Sequence, residues 1–243
     1  MSRPSDAARG RRADPEAPTW PGAKGDGGTR VKLCGLSRPQ DVVAANDVRP
    51  DFVGFVVDFP RSKRSVSSDD LPGLTSLVAP RIERVGVFVD EPPHVVARLF
   101  AQGAIDVAQL HGGEDESYLA ELRALSDVPL WQAFSVRTPQ DVARAEASTA
   151  DLVLLDNGQG TGKMFDWSLV RGVRRPFVLA GGLSPASVGE AIAAVRPWGV
   201  DMSSGVETHG TKDPAKMRAA VEAARRAAKK SAFFGGETTR GAQ

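Results

Sequence analysis

A single cysteine among 243 residues leaves no partner for an intrachain disulfide and no thiolate cluster for a metal, and it fits a reducing compartment such as the cytoplasm. Three histidines without ligand-like spacing add nothing, so no metal is expected. Charge of one sign is missing too. Against 31 Lys and Arg stand 30 Asp and Glu, a net charge of +1. Nucleic acid and anionic membrane both reward a large cationic field, so neither is expected as a partner. No apolar run approaches the roughly 18 residues that cross a bilayer. What is present, 41% hydrophobic and 25% charged, is ordinary for a soluble globular protein of a length that one α/β barrel can fill.

Residues 1–29 hold nine Gly and Pro among Arg, Asp and Ala, with no period of 2 or 3.6. Such a stretch cannot bury enough apolar surface to offset its ordering entropy, and a disordered extension is expected. Residues 231–243 read as a loose tail, leaving 30–230 as the folded domain. Within it, β-branched runs alternate with helical stripes. Strands are expected at Val31–Cys34, Phe52–Val57, Val85–Val89, Ile105–Leu110, Leu130–Phe134, Leu152–Leu155, Phe177–Leu179 and Val200–Ser203. Stripes fall at Val96/Leu99/Phe100, Tyr118/Leu122/Leu125, Val188/Ile192/Val195 and Met217/Val221/Ala224, with Pro92, Pro139, Pro185 and Pro214 at helix starts. Pro39-Gln40-Asp41-Val42 recurs 100 residues later as Pro139-Gln140-Asp141-Val142, and Asp51 as Asp151. Eight strand–helix units of about 25 residues, with a repeat after four, indicate a single (β/α)8 TIM barrel, whose chemistry sits at the C-terminal strand ends.

Those ends are informative. Lys32 and Cys34 share one face of the first strand. A lone cysteine is ordinarily a small buried hydrophobe, but at the last inward position beside an ammonium its thiol could have a lowered pKa and act as base or nucleophile. Asp156 closes an apolar strand, as Asp58 and Asp90 do, so the feature alone does not separate a loop anchor from an acid. The glycines at 158, 160 and 162 satisfy neither dinucleotide nor Walker spacing, and read as a mobile loop that can close over a site. Gly181-Gly182 and Ser204-Gly205, after strands seven and eight, lie where this fold binds phosphate, so a phosphorylated small molecule is the expected ligand. Arg61, Lys63 and Arg64 follow the second strand, and an arginine fork there could clamp a carboxylate.

Taken together, Lys32-Leu33-Cys34-Gly35-Leu36, Pro60-Arg61-Ser62-Lys63-Arg64, Gln109-Leu110-His111-Gly112, Leu155-Asp156 with Gly160-Thr161-Gly162-Lys163 and Phe165-Asp166-Trp167, Ala180-Gly181-Gly182-Leu183 and Asp201-Met202-Ser203-Ser204-Gly205-Val206-Glu207 resemble the phosphoribosylanthranilate isomerase family of tryptophan biosynthesis. The resemblance runs from about Arg30 to Lys229. It implies an Amadori rearrangement with Asp156 as general acid and Cys34 as general base, and no cofactor, because nothing is oxidised. It also implies Arg64 on the anthranilate carboxylate, Gly181, Gly182, Ser204 and Gly205 on the phosphate, and Lys32, His111 and Asp201 among the substrate-binding residues. A monomer is expected. The histidine-pathway isomerase performs the same chemistry with similar phosphate loops but typically has Asp at the position of Cys34. A non-catalytic phospho-ligand barrel would be expected to lose the acid or the base.

Overall fold

The computed structural model describes residues 28–156 and 167–235. Its barrel strands are β1 (Arg30–Cys34), β2 (Phe52–Val57), β4 (Glu83–Phe88), β5 (Val107–Leu110), β6 (Leu130–Ser135), β7 (Leu152–Asp156), β8 (Phe177–Leu179) and β9 (Gly199–Met202), with a two-residue β3 (Ser65–Val66) appended to β2. All pair in parallel, and β1 pairs with both β2 and β9, which closes the sheet. The expected eight strands are therefore the eight barrel strands, with ends differing by up to two residues.

Helices α1 (Pro39–Val48), α2 (Leu71–Thr75), α3 (Pro93–Ala101), α4 (Glu116–Leu125), α5 (Pro139–Ala147), α6 (Val188–Val195) and α7 (Pro214–Gly235) cover it. Two apolar layers result from the alternation of side chains along each strand. Val31, Leu33, Val53, Phe55, Leu155 and Leu179 face outward into the larger core under the helices. Phe52, Val85, Val107, Trp131, Leu152 and Val178 fill the barrel interior. Phe52, Trp131 and Trp198 stack there at ring separations of 5.0 to 5.9 Å.

The 100-residue repeat has a structural basis. Asp41 and Asp141 each accept the two backbone N–H groups that open their helix, Ser37 and Arg38 at 3.1 Å and Arg137 and Thr138 at 2.9 Å. Asp51 and Asp151 each bond reciprocally with the preceding barrel strand. The backbone N–H donates to the carbonyl of Val31 or Leu130, and the carboxylate accepts that residue's N–H at 2.7 Å. Asp106 repeats the pattern on Arg84, an instance that tetrapeptide matching does not show.

Several expectations need correction. Eight helices were expected; among the described residues seven α-helices are present, and the part of the β7–β8 connection that is described holds a 3-10 turn, Trp167–Val170. Pro185 lies in a turn three residues before α6, whose first N–H bonds go back to Ser184. Leu125, at the last position of α4, is exposed rather than part of the buried stripe. At the boundaries, Thr29 is buried with its hydroxyl donating to Pro197, and α7 continues to Gly235 rather than ending at residue 230. Residues 1–27, the glycine-rich loop at 157–166 and residues 236–243 lie outside the described residues.

Candidate active site

The C-terminal strand ends converge on a cavity of about 330 Å³. Cys34, Arg64, His111, Asp156, Gly181, Gly182, Asp201 and Ser204 all line it, so eight of the ten residues singled out from sequence come together. Lys32 and Gly205 do not. Lys32 lies beneath the cavity floor with 1% of its side chain exposed, donating to Asp201 Oδ2 at 2.9 Å. Gly205 is packed against the backbone of Leu183, where any Cβ would run into the carbonyl oxygen. Its smallness brings the loops after β8 and β9 together.

Cys34 is the last residue of β1 and lies 7% exposed at the barrel centre. Gly54 on β2 makes room for it. A Cβ there would sit 2.8 Å from the Cys34 sulfur and 2.9 Å from Lys32 Nζ. The expected lowering of the thiol by Lys32 is outweighed. Burial, and then the Asp201 carboxylate, push the Cys34 thiol above its ordinary value, with Lys32 opposing them. The ammonium itself stays charged: burial acts against it, but Asp201 and Cys34 together raise its pKa. Asp201 keeps its second oxygen, Oδ1, buried and without a hydrogen-bond partner among the described residues. Such an orphan at a cavity wall is an acceptor in need of a donor.

Asp156 ends β7, three strands from β1 around the barrel. The other strand-closing aspartates do different work. Asp58 accepts the Ser68 N–H at 2.9 Å and Asp90 the Gly113 N–H at 2.7 Å, and both anchor loops away from the cavity lining. His111, between them and Asp156 on the next loop, receives Gln109 Nε2 at Nδ1, 2.9 Å away, in the assigned amide orientation. Burial, with Lys32 acting the same way, holds the imidazole below its ordinary pKa against the opposing Asp156 carboxylate. It is thus a neutral Nε2–H donor at neutral pH.

The mouth of the cavity carries a charge cluster that sequence reasoning did not assemble. Glu207 accepts from Arg64 Nε at 2.6 Å and Nη2 at 2.8 Å, and from Lys212 Nζ at 2.8 Å. Burial alone would raise its pKa, but the bonds from Arg64 and Lys212 hold it at about 2. Burial pulls Lys212 below its ordinary value even with Glu207 beside it. Glu207 and Lys212 are cross-strand partners in the hairpin β10 (Glu207–Thr208) and β11 (Thr211–Lys212). Only that hairpin could have signalled the pair from sequence; Arg64 lies 143 residues away. Gln109 and Ser203 also line the cavity, and both stood unremarked within the recognised motifs.

The site therefore offers a thiol and a carboxylate on separated strands, an arginine fork at one end, and two glycine loops with left-handed Gly181 and Gly182 (φ 89° and 69°) at the other. The family described as "PRAI: N-(5'phosphoribosyl)anthranilate (PRA) isomerase" matches residues 31–223. The N-(5'-phosphoribosyl)anthranilate isomerase of Endomicrobium trichonymphae is 40% identical over 193 residues, covering 77% of this chain and 94% of the relative. A phosphoribosyl anthranilate isomerase solved with reduced 1-(o-carboxyphenylamino)-1-deoxyribulose 5-phosphate superposes with a TM-score of 0.72 at 34% identity, over 82% of this chain and 99% of that one. Monomers generated from the dimeric Thermotoga maritima enzyme superpose equally well, with a TM-score of 0.72 at 36% identity and the same coverage. The chain belongs to the N-(5'-phosphoribosyl)anthranilate isomerase family.

Proposed function

We propose that Cys34 and Asp156 are the base and the acid of the reaction this chain performs as a phosphoribosylanthranilate isomerase of tryptophan biosynthesis. That reaction is the Amadori rearrangement of N-(5-phosphoribosyl)anthranilate to 1-(2-carboxyphenylamino)-1-deoxyribulose 5-phosphate. Asp156 protonates the ribose ring oxygen, the ring opens, and the nitrogen lone pair forms a Schiff base at C1′. Cys34 then removes the C2′ proton, giving an enolamine that tautomerises to the ketone. The order follows from the charges. A thiol raised by burial and by Asp201 holds little thiolate in the free protein, so the base is in place only once the thiol has given its own proton to water. Ring opening places an iminium next to C2′, which acidifies that C–H bond and favours a nearby thiolate.

Arg64 holds the anthranilate carboxylate, and the backbone of Gly181, Gly182 and Ser204 the phosphate. Asp201 Oδ1 accepts a hydrogen bond from a hydroxyl of the sugar chain, which satisfies the buried orphan oxygen. His111 donates from Nε2 beside Asp156. Lys32 and Gly205 support these groups from beneath rather than touching substrate. The observation carrying the reading is the single cavity in which thiol, carboxylate, arginine and both glycine loops meet.

Loss of anthranilate-type fluorescence from freshly made phosphoribosylanthranilate tests it. Rapid decay is expected with the wild type, and a loss of about 10²–10⁴-fold in kcat with Cys34→Ala and with Asp156→Ala. A flat wild-type trace from folded protein overturns the reading.

We further take the chain to be a cytoplasmic monomer. Among the described residues no helix is long and apolar enough to cross a membrane. The large apolar side chains exposed there are Val43, Leu77 and Leu125, on or just after three different helices. Light scattering that gave twice the chain mass would contradict the monomer.

A further inference from the structure

Glu207 is a buried carboxylate that the rearrangement does not use. Its side chain is 6% exposed, yet three cations meet it: Arg64, Lys212 and, at 3.9 Å, Lys63. The bonding to Arg64 is specific. Nε donates to Oε1 and Nη2 to Oε2, so the carboxylate covers one complete edge of the guanidinium. The end edge, formed by Nη1 and the second Nη2 hydrogen, is left on a residue that lines the cavity. Glu207 is itself held. Lys212 Nζ, 2% exposed, bridges Glu207 Oε1 to the backbone carbonyl of Ser203 at 3.0 Å, immediately before the loop assigned to the phosphate. The stem of Arg64 runs directly over Gly35, whose φ of 74° and missing Cβ leave the path open beside Cys34.

We propose that Glu207 is the positioning residue for the substrate's carboxylate: it clamps one edge of Arg64 so that the other edge meets that carboxylate at a fixed distance from Cys34. This rests on the isomerase reading above. The chain Arg64–Glu207–Lys212–Ser203 then sets the spacing between the carboxylate and phosphate ends of the substrate. The network carries three positive charges against one negative, which suits a substrate anionic at both ends.

The test compares wild type with Glu207→Gln, using two competitive probes. One is the reduced product analogue bearing the ring carboxylate, and the other is the same 1-phenylamino-1-deoxyribulose 5-phosphate skeleton without it. Glu207→Gln is expected to raise KM and the Ki of the carboxylated probe about tenfold or more, the size of a lost charge-assisted contact. It should change kcat less and leave the Ki of the carboxyl-free probe unchanged. Equal weakening of both probes would show that the variant merely loosens the loop, and no weakening of either would show that Arg64 needs no clamp; each overturns the proposal. Should Glu207→Gln fail to fold, Glu207→Asp keeps the charge but shortens the reach by one methylene, and the same difference between probes is read from it. An inactive wild type would instead sink the isomerase reading on which the proposal rests.

Discussion

At the scale of single residues, the site is governed by how each charge is compensated. Lys32 is an ammonium at the centre of the barrel, and Asp201 and Cys34 are the groups that keep it charged there. Cys34 gains less from that ammonium than its sequence position suggests, because Asp201 draws Lys32 to itself and adds a negative charge of its own. Lys212 and Arg64 face the thiol from the mouth, with Glu207 between them. The free thiol is therefore expected to react slowly with iodoacetamide at neutral pH. Its rate should still be climbing about tenfold per pH unit beyond the ordinary thiol range near 8.5. Lys32→Met, removing the opposing cation, should push the profile to still higher pH. A plateau near pH 7 in the wild type would mean that Lys32 dominates after all. Sequence placed the lysine beside the cysteine correctly by period-2 alternation. It could not supply the sign of the shift, which burial in the closed barrel sets first and Asp201 reinforces from a strand 169 residues away.

At the scale of elements, catalysis and stability occupy opposite ends of the strands. The aspartates Asp51, Asp106 and Asp151 tie adjacent strands at the N-terminal face, β1 to β2, β4 to β5 and β6 to β7, each closing a reciprocal pair with the strand before it. Asp151→Ala leaves the Leu130 N–H without its acceptor and should lower stability by about 1–3 kcal/mol in denaturant melts, with kcat unchanged. A fall in kcat in the folded protein would argue against that separation of faces. The strands were legible in sequence because they are short apolar runs between turn residues, and the half-barrel repeat because its aspartates make the same bonds twice. Helix ends were less so. Pro185 looks like a helix start, but Ser184 accepts the N–H of both Ser187 and Val188, so a turn precedes α6. Leu125 fits the helical stripe, yet at the last position of α4 it is exposed.

At the scale of the whole molecule, closing the sheet brings β1 against β9 and so creates contacts that no local pattern encodes. The Lys32–Asp201 and Arg64–Glu207 pairs are both of this kind, which is why Glu207 and Lys212 were missed while the glycine loops were found. Closure also leaves one titratable residue in an unfavourable place. Glu83, at the foot of β4, is raised to about 7 by burial, then by Asp106 and Asp51, with Arg30 opposing. A carboxyl raised in the folded state binds a proton that the unfolded chain has already released, so folding loses stability as pH rises from about 4.5 to 7. Glu83→Gln should remove that slope and raise Tm at pH 8 relative to wild type while changing little at pH 4. An unchanged Tm difference across that range would show that Glu83 is ionised without penalty.

In the proposed reaction two different groups move two different protons, Asp156 at the ring oxygen and Cys34 at C2′. The most direct test is the isotope effect on kcat/KM with substrate deuterated at C2′, measured for wild type, Cys34→Ala and Asp156→Asn. With the base removed, C–H cleavage limits the rate and the effect should be at its largest. With the acid impaired, ring opening limits the rate and the effect should collapse toward unity. The reverse pattern, a large effect in Asp156→Asn and none in Cys34→Ala, would exchange the two roles and contradict the account.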